Sequence, residues 1–170
     1  MTLDLEPGEL ARRLRRMSEA LAERDYNLER EFVEGLDKLR RLEGKPSVAE
    51  EAARFSQSVA KTLECAGASI VAEIPRGGGV DGQPDLVVEA GGSRFVVNAK
   101  GPILLSGASI LEKASRLDEL RQTLHAEHAF LVVRYRAIPL LQWDRVSVVT
   151  LPQLLERIRQ TSNRNEVNVA

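Results

Sequence analysis

The chain has 170 residues, of which 43% are hydrophobic, and its 24 lysines and arginines are balanced by 25 acids, giving a net charge of -1. This length suits one domain with an appendage, and the balanced charge means that any nucleic-acid binding must come from a local patch. Cys65 is the single cysteine, which excludes an intrachain disulfide. A lone cysteine suits the reducing cytoplasm, and no apolar run approaches membrane-spanning length. The sequence therefore predicts a soluble, cytoplasmic protein with no membrane partner.

Residues 1–46 are predicted to form an N-terminal helical arm. Residues 9–43 are rich in Leu, Arg, Glu and Ala, and the apolar side chains from Leu10 to Leu28 follow a heptad-like spacing. Such spacing is typical of a coiled coil, although the stripe shifts phase after Leu28. We expect the arm to form a homodimer or to bind a partner protein, with packing against its own domain as the alternative.

Residues 47–160 are predicted to fold as an α/β domain with a central mixed sheet of four to five strands flanked by helices. A helix stop, a proline and an N-cap serine at residues 44–47 mark the boundary with the arm. The predicted elements are helix 48–65, strands 69–74, 85–89 and 94–99, helix 109–125, strands 129–135 and 145–149, and helix 152–159. Their order is α-β-β-β-α-β-β-α, and residues 161–170 are expected to form a flexible tail.

The predicted hairpin of residues 85–99 carries the polar residues of greatest interest. Side chains alternate along a strand, so Asn98 and Lys100 project from one face, and pairing across the Gly-Gly turn can bring Asp85 beside Asn98. A carboxylate, an amide oxygen and an ammonium group together suit phosphodiester hydrolysis. Oxygen ligands hold Mg²⁺ or Mn²⁺ in such a site, while a lysine orients the attacking water or neutralises developing charge.

At these residues the chain resembles the PD-(D/E)xK nuclease superfamily, the restriction-endonuclease-like class that also includes archaeal-type Holliday junction resolvases. Pro84-Asp85 matches the family's Pro-Asp and Lys100 its lysine, and the Gly-rich approach to Asp85 is similar to that of resolvase-like members. The predicted element order contains the family's α-β-β-β-α-β core. The resemblance implies a restriction-endonuclease-like fold and a metal-dependent DNA endonuclease. In it, Asp85 would be the principal metal ligand, Asn98 the second and Lys100 the catalytic cation.

Several members of the family also carry a metal-supporting glutamate on the first core helix, a place that Glu51 or Glu50 would fill. Three further residues are predicted to contact nucleic acid: Arg76 in the Gly-rich loop, and Lys113 and Arg116 on the helix after the motif.

Asn98 stands where the family has Asp or Glu. Asparagine offers an oxygen but no charge, which lowers the affinity for a divalent cation. The resemblance leaves three explanations open. The chain would be an inactive relative that only binds, an enzyme whose second acid is Glu73, Glu89 or Glu51, or a protein in which the acid was replaced on purpose. The alternative function is a catalytically inactive module that binds nucleic acid or protein and dimerises through its N-terminal helix.

Overall fold

The structure is a computed structural model, and it describes residues 26–75, 83–101, 107–134, 142–143 and 145–167. The helices in these ranges are α1 (Tyr26–Leu42), α2 (Val48–Cys65), α3 (Gly107–Thr123) and α4 (Leu151–Val167). The strands are β1 (Ser69–Ile74), β2 (Asp85–Ala90), β3 (Ser93–Lys100), β4 (His128–Val133), β5 (Gln142–Trp143) and β6 (Val146–Val149). No helix in the described part of the chain is both long and apolar enough to cross a bilayer.

The strands form one mixed sheet in the order β1-β2-β3-β4-β6-β5. Strands β1, β2 and β3 are antiparallel neighbours, β3, β4 and β6 run parallel, and β5 pairs antiparallel with β6. Five strands have four residues or more, which confirms the predicted α/β fold with a mixed sheet flanked by helices. The two-residue strand β5 is an addition at the edge.

Two apolar cores lie on opposite faces of the sheet. Helices α2 and α4 cover one face. There Val59, Leu63 and Leu154 pack on every second residue of β2 and β3, including Leu86 and Val97. Helix α3 covers the other face, where Ala114 and Leu117 pack on Val96, Leu131 and Val148. Each central strand is therefore buried on both sides, as its nearly continuous apolar sequence requires.

A two-residue turn sets the register of the β2–β3 hairpin. Gly91 and Gly92 have φ angles of 57° and 79°, the left-handed values that a tight hairpin of this length demands and that glycine adopts without strain. Ala90 pairs with Ser93, and the ladder continues to Leu86 opposite Val97. One further step along the same ladder places Asp85 opposite Asn98.

Helix α2 begins at the predicted capping box. The Ser47 hydroxyl accepts a hydrogen bond from the Glu50 backbone N–H at 3.1 Å, and the Glu50 carboxylate accepts one from the Ser47 backbone N–H at 2.8 Å. These bonds satisfy two helix-terminal donors that would otherwise lack partners. The bounds of α2 and β1 coincide with those predicted from the sequence.

The described part of the N-terminal arm packs on its own domain. Phe32 and Val33 of α1 are buried, and the Asp37 carboxylate accepts a hydrogen bond from the Val48 backbone N–H at 2.6 Å, at the start of α2. Residues 1–25, which carry most of the heptad stripe, lie outside the described residues. At the other end α4 continues to Val167, over residues that the sequence had indicated as a flexible tail.

Candidate active site

Asp85 and Asn98 meet on the face of the sheet covered by α3. Both side chains are buried, and the Asn98 amide Nδ2 donates a hydrogen bond to Asp85 Oδ1 at 2.7 Å. Asp85 opens β2 and Asn98 lies in the last part of β3, so their juxtaposition follows directly from the hairpin register. The predicted contact between the carboxylate and the amide is present.

Arg116 of α3 completes the surroundings of the Asp85 carboxylate. Its Nη1 donates to Oδ2 at 2.8 Å and its Nη2 to Oδ1 at 2.9 Å, a bidentate pair. The Asp85 side chain is fully inaccessible to solvent, whereas that of Arg116 is 37% exposed. A buried carboxylate is stable only when paired and hydrogen-bonded, and this guanidinium provides both the charge and the donors.

Two polar atoms at this site are buried and have no hydrogen-bond partner among the described residues: Asn98 Oδ1 and Arg116 Nε. Leaving a buried acceptor or donor unpaired costs about 1–3 kcal/mol each, so such atoms are uncommon in folded proteins. Because Asn98 Nδ2 faces Asp85, the amide oxygen points away from the carboxylate and is an available oxygen ligand.

Lys100 is buried on the same face, two residues after Asn98. Val96, Asn98 and Lys100 alternate with Val97 and Ala99, which belong to the core under α2 and α4. The side chain of Lys100 therefore projects from the sheet face that carries Asp85. The three residues of the predicted motif share one face, as the sequence indicated.

Glu51 lies away from these three residues. It belongs to α2, which covers the opposite face of the sheet, and its carboxylate pairs with two arginines: Oε2 accepts from Arg40 and Oε1 from Arg134. Glu50 is exposed and held by the capping box, where the Ser47 backbone N–H lowers the pKa of its carboxyl. Each glutamate therefore has hydrogen-bond partners of its own, separate from the Asp85 site.

The other two acids considered as replacements are also separate from Asp85. Glu73 pairs in register with Leu86, which belongs to the core on the opposite face. Glu89 lies at the far end of β2 and accepts hydrogen bonds from Arg94 at 2.7 and 3.0 Å. Among the described residues, no three His, Cys, Asp or Glu side chains form a group able to hold a metal ion.

The predicted nucleic-acid contacts are placed only in part. Arg76 lies outside the described residues. Lys113 is half-buried on α3, one turn before Arg116. Arg116 itself is engaged with Asp85, whereas its place on the helix after the motif had indicated a phosphate contact. The available signal was physical: an acid in an otherwise apolar strand needs a cation, and α3 is the helix that crosses the same face.

These residues could bind a hydrated divalent cation, but only with low affinity. They offer one carboxylate, from Asp85, and one unpaired amide oxygen, from Asn98, both of the hard oxygen type that Mg²⁺ prefers. The single negative charge is already compensated by Arg116. A metal ion and this guanidinium therefore compete for the same carboxylate.

The chain matches no model of a known protein family and no curated protein.

Proposed function

We propose that the chain is a metal-dependent DNA endonuclease of the restriction-endonuclease-like class, weakened by Asn98 and acting in the cytoplasm. The observation that carries this proposal is the contact between Asp85 and Asn98, with Lys100 buried on the same face of two adjacent strands. Burying charged and amide groups in a sheet core costs free energy. A role in chemistry on a phosphate would account for their placement together at one end of the hairpin.

The element order supports the same class. Helix α2, strands β1 to β3, helix α3 and strand β4 follow one another in the α-β-β-β-α-β order that the resemblance implies. A fold shared with nucleases supports the proposal only together with the site, because one fold hosts many functions.

Each residue has a distinct role in the proposed reaction. Asp85 and the Asn98 amide oxygen would hold the cation, and Lys100 would neutralise charge that develops on the phosphate or orient the attacking water. A bound Mg²⁺ or Mn²⁺ would supply Lewis-acid stabilisation of the phosphate oxygens. Arg116 must release at least one oxygen of Asp85 before the carboxylate can serve a cation, and its released guanidinium can pair with a DNA phosphate.

A second candidate function is a catalytically inactive nuclease-fold module that binds DNA or a protein. The bidentate Asp85–Arg116 pair favours this candidate, since it satisfies the carboxylate without a metal. In this case Asp85 is a structural residue, and the N-terminal helix provides the dimer or partner contact.

Cleavage of plasmid and branched DNA in Mg²⁺ and in Mn²⁺ separates the two functions. The variants are Asp85→Asn, which keeps the shape but removes the charge, and Asn98→Asp, which restores a second acid. Glu89→Gln is the matched control, because Glu89 lies on the same strand and the same face but pairs at the surface with Arg94.

An endonuclease should cleave weakly as the wild type, lose cleavage with Asp85→Asn, gain it with Asn98→Asp and be unchanged by Glu89→Gln. Salt-dependent DNA binding without cleavage in any variant would support the inactive module. If the wild type neither cleaves nor binds DNA, the DNA-directed proposal is wrong.

A further inference from the structure

A second polar site lies against α2, which covers the face of the sheet opposite to the face that carries Asp85. A cavity of about 420 Å³ is lined by residues of α1, of α2 and of the segment that follows β4. The lining residues used below are Arg40, Glu51, Arg54, Phe55, Ser58 and Arg134. This volume lies in the range of pockets that bind small molecules.

The charges of this cavity are unbalanced. Among the described residues, three arginines and one glutamate line it, and Glu50, just outside the lining, interacts electrostatically with Arg54, so one positive charge remains in excess. Glu51 binds Arg40 through one carboxylate oxygen and Arg134 through the other, so the carboxylate is shared between two guanidinium groups. The excess positive charge lies in a partly enclosed space, where it is screened less than on an open surface.

Two of the three arginines, Arg40 and Arg134, are held in fixed orientations. The Arg40 side chain is only 16% exposed, and its Nε donates to the Pro46 carbonyl at 2.6 Å while its Nη2 contacts Glu51. The Arg134 guanidinium is fixed by the other oxygen of the same carboxylate. An arginine whose position is already set loses little conformational freedom on binding an anion, which favours affinity.

The remaining lining residues extend the site along α2. Arg54 is exposed one turn after Glu51, and Ser58 follows one turn later with a hydroxyl donor. Phe55 provides an apolar wall, fixed against the end of β3: a Cβ built on Gly101 would lie 2.8 Å from Phe55 Cδ1. Fixed guanidinium groups beside an aromatic ring are suited to a phosphate attached to a planar base.

We propose that this cavity, formed by Arg40, Glu51, Arg54 and Arg134 around Phe55, binds the phosphate group of a nucleotide. The phosphate would contact the arginines, and the base would pack on Phe55. The ligand is either a free nucleotide or the terminal nucleotide of a nucleic-acid strand, since both present the same phosphate and base. This site is separate from Asp85 and does not depend on the proposed endonuclease activity.

Calorimetric titration of the full chain tests the proposal with four probes: inorganic phosphate, 5′-AMP, a short oligonucleotide with a 5′-phosphate, and the same oligonucleotide without it. The variants are Arg54→Gln and Arg134→Gln, neither of which removes a buried core residue. Arg94→Gln is the control, since Arg94 is an exposed arginine at the start of β3, outside the cavity.

We expect 5′-AMP to bind more tightly than inorganic phosphate, and each of the two pocket variants to weaken binding at least tenfold. Arg94→Gln should leave the affinity unchanged. Tighter binding of the 5′-phosphorylated oligonucleotide than of 5′-AMP would identify a strand terminus as the ligand. Tighter binding of 5′-AMP would identify a free nucleotide. Absence of binding for every probe at millimolar concentration, or equal affinity in the wild type and both pocket variants, would overturn the proposal.

Discussion

The Asp85–Arg116 pair should be among the strongest polar interactions in the domain. Its two charge-assisted hydrogen bonds measure 2.8 and 2.9 Å. At about 1.5–3 kcal/mol for each bond to a charged group, the pair would contribute roughly 3–6 kcal/mol if fully enclosed. The Arg116 side chain is 37% exposed, so we reduce this to about 2–4 kcal/mol for solvent screening.

A double-mutant cycle with Asp85→Ala, Arg116→Ala and the double variant measures this coupling from urea unfolding followed by circular dichroism. Arg116→Ala alone should lower the free energy of unfolding by about 3 kcal/mol, because it leaves a buried carboxylate without its cation.

The Glu89–Arg94 pair provides the reference cycle, since Glu89 lies on the same strand as Asp85 and the two side chains are 42% and 45% exposed. Its coupling should stay below about 1 kcal/mol, as for other exposed pairs. If the coupling between Asp85 and Arg116 is no larger than this reference, the carboxylate is not desolvated in the folded protein and the reasoning fails.

Three further predictions concern local structure. Ser47→Ala removes the side-chain half of the capping box and should cost about 1 kcal/mol in urea unfolding; no change would mean that water caps α2 equally well. Gly101→Ala should cost about 1–3 kcal/mol because its Cβ would lie 2.8 Å from Phe55, and a Phe55→Leu background should relieve most of the loss. A hydrogen bond from Arg121 holds the pKa of Asp118 below its ordinary value of 3.8. The stability from this pair is therefore present above pH 3.8 and lost as the pH falls through the lower folded-state pKa. Asp118→Asn should flatten acid unfolding curves in that range, and an unchanged curve would contradict the assignment.

The elements with strong local signals were predicted accurately. Helix α2 has a capping box at its start and a glycine after its end, and both signals act within a few residues of the backbone that they terminate. The β2–β3 hairpin was predicted because two adjacent glycines favour a tight turn. The length of that turn then fixes which residues of the two strands pair. The meeting of Asp85 with Asn98 followed from that register alone.

The parts that depend on tertiary contacts were predicted less well. Helix α3 ends two residues earlier than expected, and His125 adopts a positive φ of 51° that its sequence does not reveal. The pairing of Arg116 with Asp85 depends on where α3 crosses the sheet, and the pairing of Glu51 with Arg40 and Arg134 depends on three separate elements. No spacing within the sequence encodes such contacts.

The sequence separations within the Asp85 cluster carry a consequence for how the protein folds. Asn98 is 13 residues from Asp85 and Arg116 is 31 residues away. Closing the longer loop costs about 0.8 kcal/mol more in chain entropy, so the hairpin is expected to form first. The carboxylate then stays hydrated until α3 arrives, and the loss of its water coincides with the arrival of the guanidinium. The docking of α3, rather than the formation of the hairpin, is therefore the step that places a charge in the interior of the protein.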